Sequence, residues 1–122
     1  MNTHGDYSLE ELVEELSARL VEAQYNWDQI ARPEQKFPPH NWRVWLILAG
    51  RGFGKTRTGA QSVHELAMSG NYPRIALVGE TEHDVRSIMV EGKSGILNIA
   101  SPRTRPVYNS SCAKLIWPNG TI

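Results

Sequence analysis

Apolar residues recur every three or four positions along LEELVEELSARL, with glutamates filling the places between. That spacing puts Leu9, Leu12, Val13, Leu16 and Leu20 on one side of a helix over residues 9–24. Ser8 stands where a cap belongs, and Glu11 completes a capping box. Glu10, Glu11, Glu14 and Glu15 bring negative charge to the first turns, where the helix dipole favours it. The pattern then breaks. Residues 31–41, ARPEQKFPPHN, carry three prolines and predict an extended connector. VWLILA, residues 44–49, is apolar without interruption, as in a strand covered on both faces of a parallel sheet.

GRGFGK follows, and residues 55–68 return to helical spacing before Ser69, Gly70, Asn71 and Pro73 end it. Gly59 weakens the middle of that helix, and close approach of a neighbouring element would compensate. RIALVG, residues 74–79, reads as a second buried strand. Thr81 is placed to cap a further helix, with Asp84 at the fourth position and Val85, Ile88 and Met89 facing inward. SGIL around Ile96 suggests a short helical turn. Arg105–Asn109 and Ala113–Pro118 read as short strands, and Asn119-Gly120 as a tight turn. Strand, loop, helix, strand, helix predicts an α/β protein with a mainly parallel sheet flanked by helices. Residues 1–30 form an accessory helical region and residues 31–122 the domain itself.

Length and charge add limited constraints. A chain of 122 residues suits one modest domain. Net charge is zero, so bulk charge points to neither nucleic acid nor membrane. Its distribution is uneven: residues 1–34 hold eight acidic against two basic side chains, whereas residues 35–122 hold five against eleven. A single cysteine, Cys112, excludes an internal disulfide framework, which favours a cytosolic compartment. No signal peptide is visible, and the longest apolar run is far too short for a membrane span.

The glycine loop is the part with chemistry in it. The standard phosphate loop is G-x-x-x-x-G-K-[ST], and the matching residues are AGRGFGKT, Ala49 to Thr56. Gly54, Lys55 and Thr56 fit; Ala49 occupies the first glycine position, with Gly50 directly after it. Gly50, Gly52 and Gly54 supply the backbone freedom to point successive N–H groups, that of Phe53 included, at phosphate oxygens. A helix starting at Lys55 adds unpaired N–H groups and a positive dipole end. Lys55 can reach the β- and γ-phosphates of ATP, and Thr56 can place its hydroxyl on Mg2+. Arg51 adds a charge the pattern does not require. It either contacts the γ-phosphate in the transition state or pairs with an acidic neighbour and holds the loop. The competing explanation, a glycine-rich surface turn, gives no reason for Lys55 and Thr56 at these offsets.

NWRVWLILAGRGFGKTRTGA resembles the opening of the ATPase domain of the large terminase subunit of tailed phages and of related gene-transfer-agent packaging proteins. The likeness extends through RIALVGETEHDVRSIMVEGKSGIL and RPVYNSSCAKLIWPNG and takes in the upstream ARPEQKFPP. It implies an incomplete P-loop NTPase domain in a motor that drives double-stranded DNA into a procapsid. The implied partners are DNA, portal, procapsid, the small terminase subunit and a downstream terminase segment, in the cytoplasm of the bacterial host. It also implies that Gly50 to Thr56 are the family's variant phosphate loop, with Arg51 as a sensor or finger and Lys55 as the phosphate lysine. Thr56 becomes the magnesium-linked hydroxyl, and Gln35 lies where an upstream glutamine reads adenine.

The family's paired acidic residues would follow WPNG, so the resemblance also implies an N-terminal piece that binds ATP without hydrolysing it alone. The alternative is a non-catalytic module that associates with another terminase segment or packaging component, motivated by the acidic helix.

Other residues carry weaker signals. Glu80 follows the second expected strand, where functional residues often stand. His4, His40, His64, His83 and Cys112 lack zinc-site spacing, and Cys112 reads as buried or half-buried. No nucleophile elbow supports a triad built on Ser110, Ser111 and His83. Trp42, Trp45 and Trp117 read as packing residues. Arg103, Arg105 and Lys114 are candidates for DNA phosphates, with ordinary surface charge the more frequent explanation.

Overall fold

The computed structural model describes residues 7–122, so the first six residues of the expected accessory region, His4 among them, lie outside it. Helix α1 spans Leu9–Gln24 and α2 spans Trp27–Ile30. A 3-10 turn, Pro33–Gln35, leads through an extended stretch to α3, Lys55–Met68. Helix α4, Glu82–Asp84, runs directly into a π-helical segment, Val85–Val90. Helix α5 covers Ile96–Ile99, and strands β1, Val107–Asn109, and β2, Lys114–Ile116, close the order.

The expected α/β fold with a mainly parallel sheet is not what the described residues form. They are mostly helical, with one two-stranded antiparallel sheet in which Val107 faces Ile116, Tyr108 faces Leu115 and Asn109 faces Lys114. Residues 44–49 and 74–79 are extended but are not strands. Their apolar patterns predict cover on two faces, and each has one open face instead. Val44, Leu46 and Leu48 are 82 %, 72 % and 85 % exposed, while Trp45, Ile47 and Ala49 between them are half-buried. A strand needs a neighbour to take its N–H and C=O groups. The second segment finds only an isolated pair of bonds, Ile75 N–H to Ile122 C=O at 2.9 Å and Ile122 N–H to Pro73 C=O at 3.1 Å.

Local signals held better. Ser8 and Glu11 form the reciprocal capping box of α1. The apolar stripe of α1 is nevertheless uncovered among the described residues: the helix has no buried residue. Thr81 Oγ1 accepts from the Asp84 N–H at 3.0 Å and donates to its carboxylate at 2.7 Å. The wide π turn, closed by Glu91 N–H to Arg86 C=O at 2.9 Å, then rotates the inward face. Val90 is buried and Ile88 exposed, the reverse of what a 3.6-residue period gives for Ile88. Gly59 has open space where a Cβ would stand, so no close approach compensates for it.

The core lies between α3, α5, the π-helical segment and β2, built from Ala60, Ala67, Val90, Ile96, Ile99 and Leu115 with Trp117. Full burial of a side chain such as Ile96 is worth about 1.5–3 kcal/mol. Polar ties fasten the same elements. Asn119 Nδ2 and Thr121 Oγ1 both donate to the Ala67 carbonyl, at 2.7 and 3.1 Å, near the C-terminal end of α3. The tight turn beside them is closed by Gly120 N–H to Trp117 C=O at 2.9 Å.

Trp117 Nε1 donates to His64 Nδ1 at 3.0 Å, so the other imidazole nitrogen carries the proton and meets Thr104 Oγ1 at 3.2 Å.

Two predictions follow from this packing. Exchanging Gly59 for alanine is expected to stabilise α3 by about 0.5–1 kcal/mol, because the site is open and helix entropy favours alanine. A thermal melt that shifts downward contradicts it. Burial holds the His64 pKa below its ordinary value. The unfolded chain therefore binds the proton more readily than the native one. Stability is full above about pH 6.5 and is lost as pH falls below that toward the depressed native value. Urea midpoints should drop between pH 7.5 and 5.5, and less so in His64→Gln.

Candidate functional site

The loop from Gly50 to Thr56 joins the extended segment to α3. Gly52 and Gly54 have φ of +82° and +90°, a region that L side chains rarely adopt. Gly54 is the N-cap of α3 and offers no side chain to satisfy the first turn. The first N–H groups of a helix have no acceptor within it, so those of α3 remain available at the loop. The first turn also lacks the acidic residue that usually sits there and carries Lys55 and Arg57 instead. Dipole, open donors and basic side chains thus converge on one end of one helix.

Lys55 folds back over the loop. Its Nζ donates to the carbonyls of Ala49 and Gly50 at 2.5 and 2.9 Å. These bonds are exposed and can be exchanged for bonds to an anion. The Thr56 and Arg51 side chains are exposed, and among the described residues neither has a hydrogen bond or ion pair to another side chain. An acidic neighbour that would hold Arg51 to the loop is thus not found there.

Gln35 is 7 % exposed rather than facing solvent, the commoner case for a loop glutamine. Its Oε1 accepts from the Arg32 N–H at 3.1 Å, and its Nε2 donates to Thr58 Oγ1 at 3.0 Å and approaches the Phe53 carbonyl at 3.5 Å. Arg32 donates to the same carbonyl, and its guanidinium lies 4.7 Å from the centre of the Phe53 ring. Neither Arg32 nor Thr58 stood out in the sequence, where nothing links a residue of a proline-rich connector to a loop some twenty positions away. Arg57 packs its guanidinium 5.6 Å from the centre of the buried Trp27 ring. A cavity of about 210 Å3 beside Gln35 is lined by Trp27, Asp28, Lys36, Phe37 and Glu65. Burial raises the Glu65 pKa, and the nearby Asp28 carboxylate adds to the rise.

The remaining candidates lie apart from the loop or do other work. Glu80 is exposed at a second cavity, of about 620 Å3, none of whose lining residues belongs to the glycine loop. Trp117 is a packing residue, as expected, whereas Trp42 and Trp45 cluster with Phe37 at ring separations of 5.7–5.9 Å on a partly open surface. Arg103, Arg105 and Lys114 are all exposed, and Arg105 donates to the Ala100 carbonyl at 3.2 Å. Cys112 is exposed, not buried. No group of three or more His, Cys, Asp or Glu gathers among the described residues in a way that could hold a metal. No helix among them is long and apolar enough to cross a membrane.

Residues 46–122 match the family described as terminase large subunit, T4likevirus-type, N-terminal. The match includes the whole glycine loop and leaves Arg32 and Gln35 upstream of it. No curated protein and no solved structure matches the chain significantly.

Gly54 is the most constrained position of the loop. A Cβ there would stand 2.9 Å from Gln35 Nε2, in a backbone conformation that already disfavours one. Gly54→Ala is expected to cost about 1–2 kcal/mol from the left-handed conformation alone. Urea unfolding measures it, and a variant as stable as the parent contradicts the loop geometry.

Proposed function

Because the chain belongs to the large terminase subunits, through their T4likevirus-type N-terminal family, we propose that it binds Mg-ATP with Gly50 to Thr56 around the phosphates. Its family role is in phage DNA packaging. Nucleotide binding is the finer reading. The observation that carries it is the end of α3: a glycine cap, no acid in the first turn, and Lys55 lying across the loop on two carbonyls.

In this reading the N–H groups of Gly50 to Lys55 receive phosphate oxygens. Lys55 leaves its two carbonyls and neutralises the β- and γ-phosphates, and Arg51, exposed and without a side-chain partner among the described residues, reaches the γ-phosphate. Thr56 would hold Mg2+ by its hydroxyl, and the ion would supply charge neutralisation to the phosphates. Double-stranded DNA, portal, procapsid and small terminase subunit are the partners we propose for the packaging assembly.

Calorimetric titration with Mg-ATP tests the site. Lys55→Ala should weaken binding at least roughly tenfold, about 1.4 kcal/mol, by removing one phosphate-directed charge. Equal affinity of parent and variant would sink the assignment. Phosphate release by the parent chain alone is expected to stay at background, since binding does not by itself align a water with the γ-phosphate.

A second reading, an interaction module without catalysis, rests on α1, whose apolar stripe is uncovered and whose polar side is acidic. Docking of that stripe on a packaging component is expected to be lost in Leu12→Asp/Leu16→Asp. Unchanged co-purification with the portal and small subunit would dismiss it.

A further inference from the structure

We propose that His64 is a proton-operated latch: its neutral ring holds the Trp117 indole against α3, and its protonated ring releases that indole while the rest of the C-terminal turn stays attached. The inference goes beyond the nucleotide-binding reading and does not depend on it.

Trp117, His64, Thr104 and Ser101 form a hydrogen-bond chain with one direction. An indole N–H donates and has no lone pair to accept with. Trp117 Nε1 meets His64 Nδ1 at 3.0 Å, so that nitrogen presents its lone pair. Nε2 carries the proton and meets Thr104 Oγ1 at 3.2 Å. The Thr104 hydroxyl passes the chain on to Ser101, whose Oγ lies 3.0 Å away. A second proton on the ring makes both nitrogens donors. The Thr104 contact survives this, because Nε2 donates in either state. The Trp117 contact does not, because two N–H groups then face each other. Trp117 is 3 % exposed, so water does not replace the lost acceptor, and a buried donor left without one is costly. Either the ring stays neutral or the indole leaves its place.

The other ties of the turn contain no titratable group. Asn119 Nδ2 and Thr121 Oγ1 hold the Ala67 carbonyl of α3, and the Trp117 N–H bonds the Thr121 carbonyl at 2.9 Å. The charges on the surrounding elements are turned elsewhere. On α3, Glu65 is exposed and acts with Asp28 and Lys36. Arg103 and Arg105 before β1 and Lys114 on β2 are exposed. Arg86 of the π-helical segment pairs with Glu91 at 3.2 Å, and α5 carries no charged side chain. None of these groups forms an ion pair with His64 among the described residues. Burial alone lowers the His64 pKa. The latched ring therefore binds a proton less readily than a released one, and the latch opens as pH falls below the ordinary imidazole value of about 6.5.

Nitrogen-15 NMR of the whole chain, titrated from pH 7.5 to 5.0, tests this. At the upper end the His64 ring should be the Nε2–H tautomer. On acidification its ring signals and the Trp117 indole N–H signal should shift with one common midpoint, below about pH 6.5. The Trp27 indole signal should not follow that midpoint, and the amide signals of Ile96 and Ile99 should persist, reporting a folded core. His64→Gln separates the proton from the contact, because the amide accepts from Trp117 and donates to Thr104 without titrating. In this variant the Trp117 indole signal should be independent of pH. An Nδ1–H tautomer, a ring still neutral at pH 5.0, or a Trp117 signal that stays in place while His64 titrates overturns the latch. Loss of the Ile96 and Ile99 signals at the same midpoint also overturns it, since the transition is then global unfolding. A Trp117 signal in His64→Gln that titrates as in the parent does the same. The parent titration decides even where the variant does not fold.

Discussion

The direction of two peptide groups, Phe53–Gly54 and Gly54–Lys55, is the constraint on which the candidate site depends. The first carbonyl is held by Arg32, and the second by the Thr58 N–H and hydroxyl of α3, with Gln35 bonded to that hydroxyl. Their amides consequently face the other way, at the start of a helix with no cap side chain and no acid to neutralise it. Glycine at position 54 answers two demands at once. It accepts a φ of +90°, and it leaves room for Gln35 Nε2, which a Cβ would meet at 2.9 Å. Loop, connector and helix start are one mechanical unit.

Helix α3 carries that unit into the core. Its first residues belong to the loop, its middle buries Thr58, Ala60 and Gln61, and the carbonyl of Ala67 near its end takes side-chain donors from Asn119 and Thr121. His64 faces the same C-terminal segment through Trp117 and Thr104. The core places Ile96, Ile99 and Val90 beside Ala60 and Ala67. Small residues on α3 let α5 and the π-helical segment lie close, and close packing is what makes such an interior rigid. The glycine loop is therefore tethered from both sides, by the connector through Gln35 and by the core through α3.

The apolar positions that stay open mark where packing ends. Val44, Leu46 and Leu48 project from one side of an extended segment, and among the described residues nothing covers the stripe of α1. Their sequence patterns are those of covered elements. A pattern states which face prefers to be buried, but it does not supply the surface that buries it.

The sequence by itself determined the elements whose causes are local. The capping box of Ser8 and Glu11, the Thr81 cap, the helix after Lys55, the short hairpin and the glycine loop all follow from residues within a few positions of one another. Sequence also carried enough pattern to reach the terminase family, shown by the match over residues 46–122. Only the tertiary structure decided that VWLILA and RIALVG are extended segments rather than strands, because strand formation requires a partner elsewhere in the chain. Only it turned the helix face after Val85, where a π turn replaced the expected period. It alone buried Gln35 and gave its amide to Arg32 and Thr58, since a hydrogen bond spanning 23 positions leaves no trace in the spacing of residues along the chain.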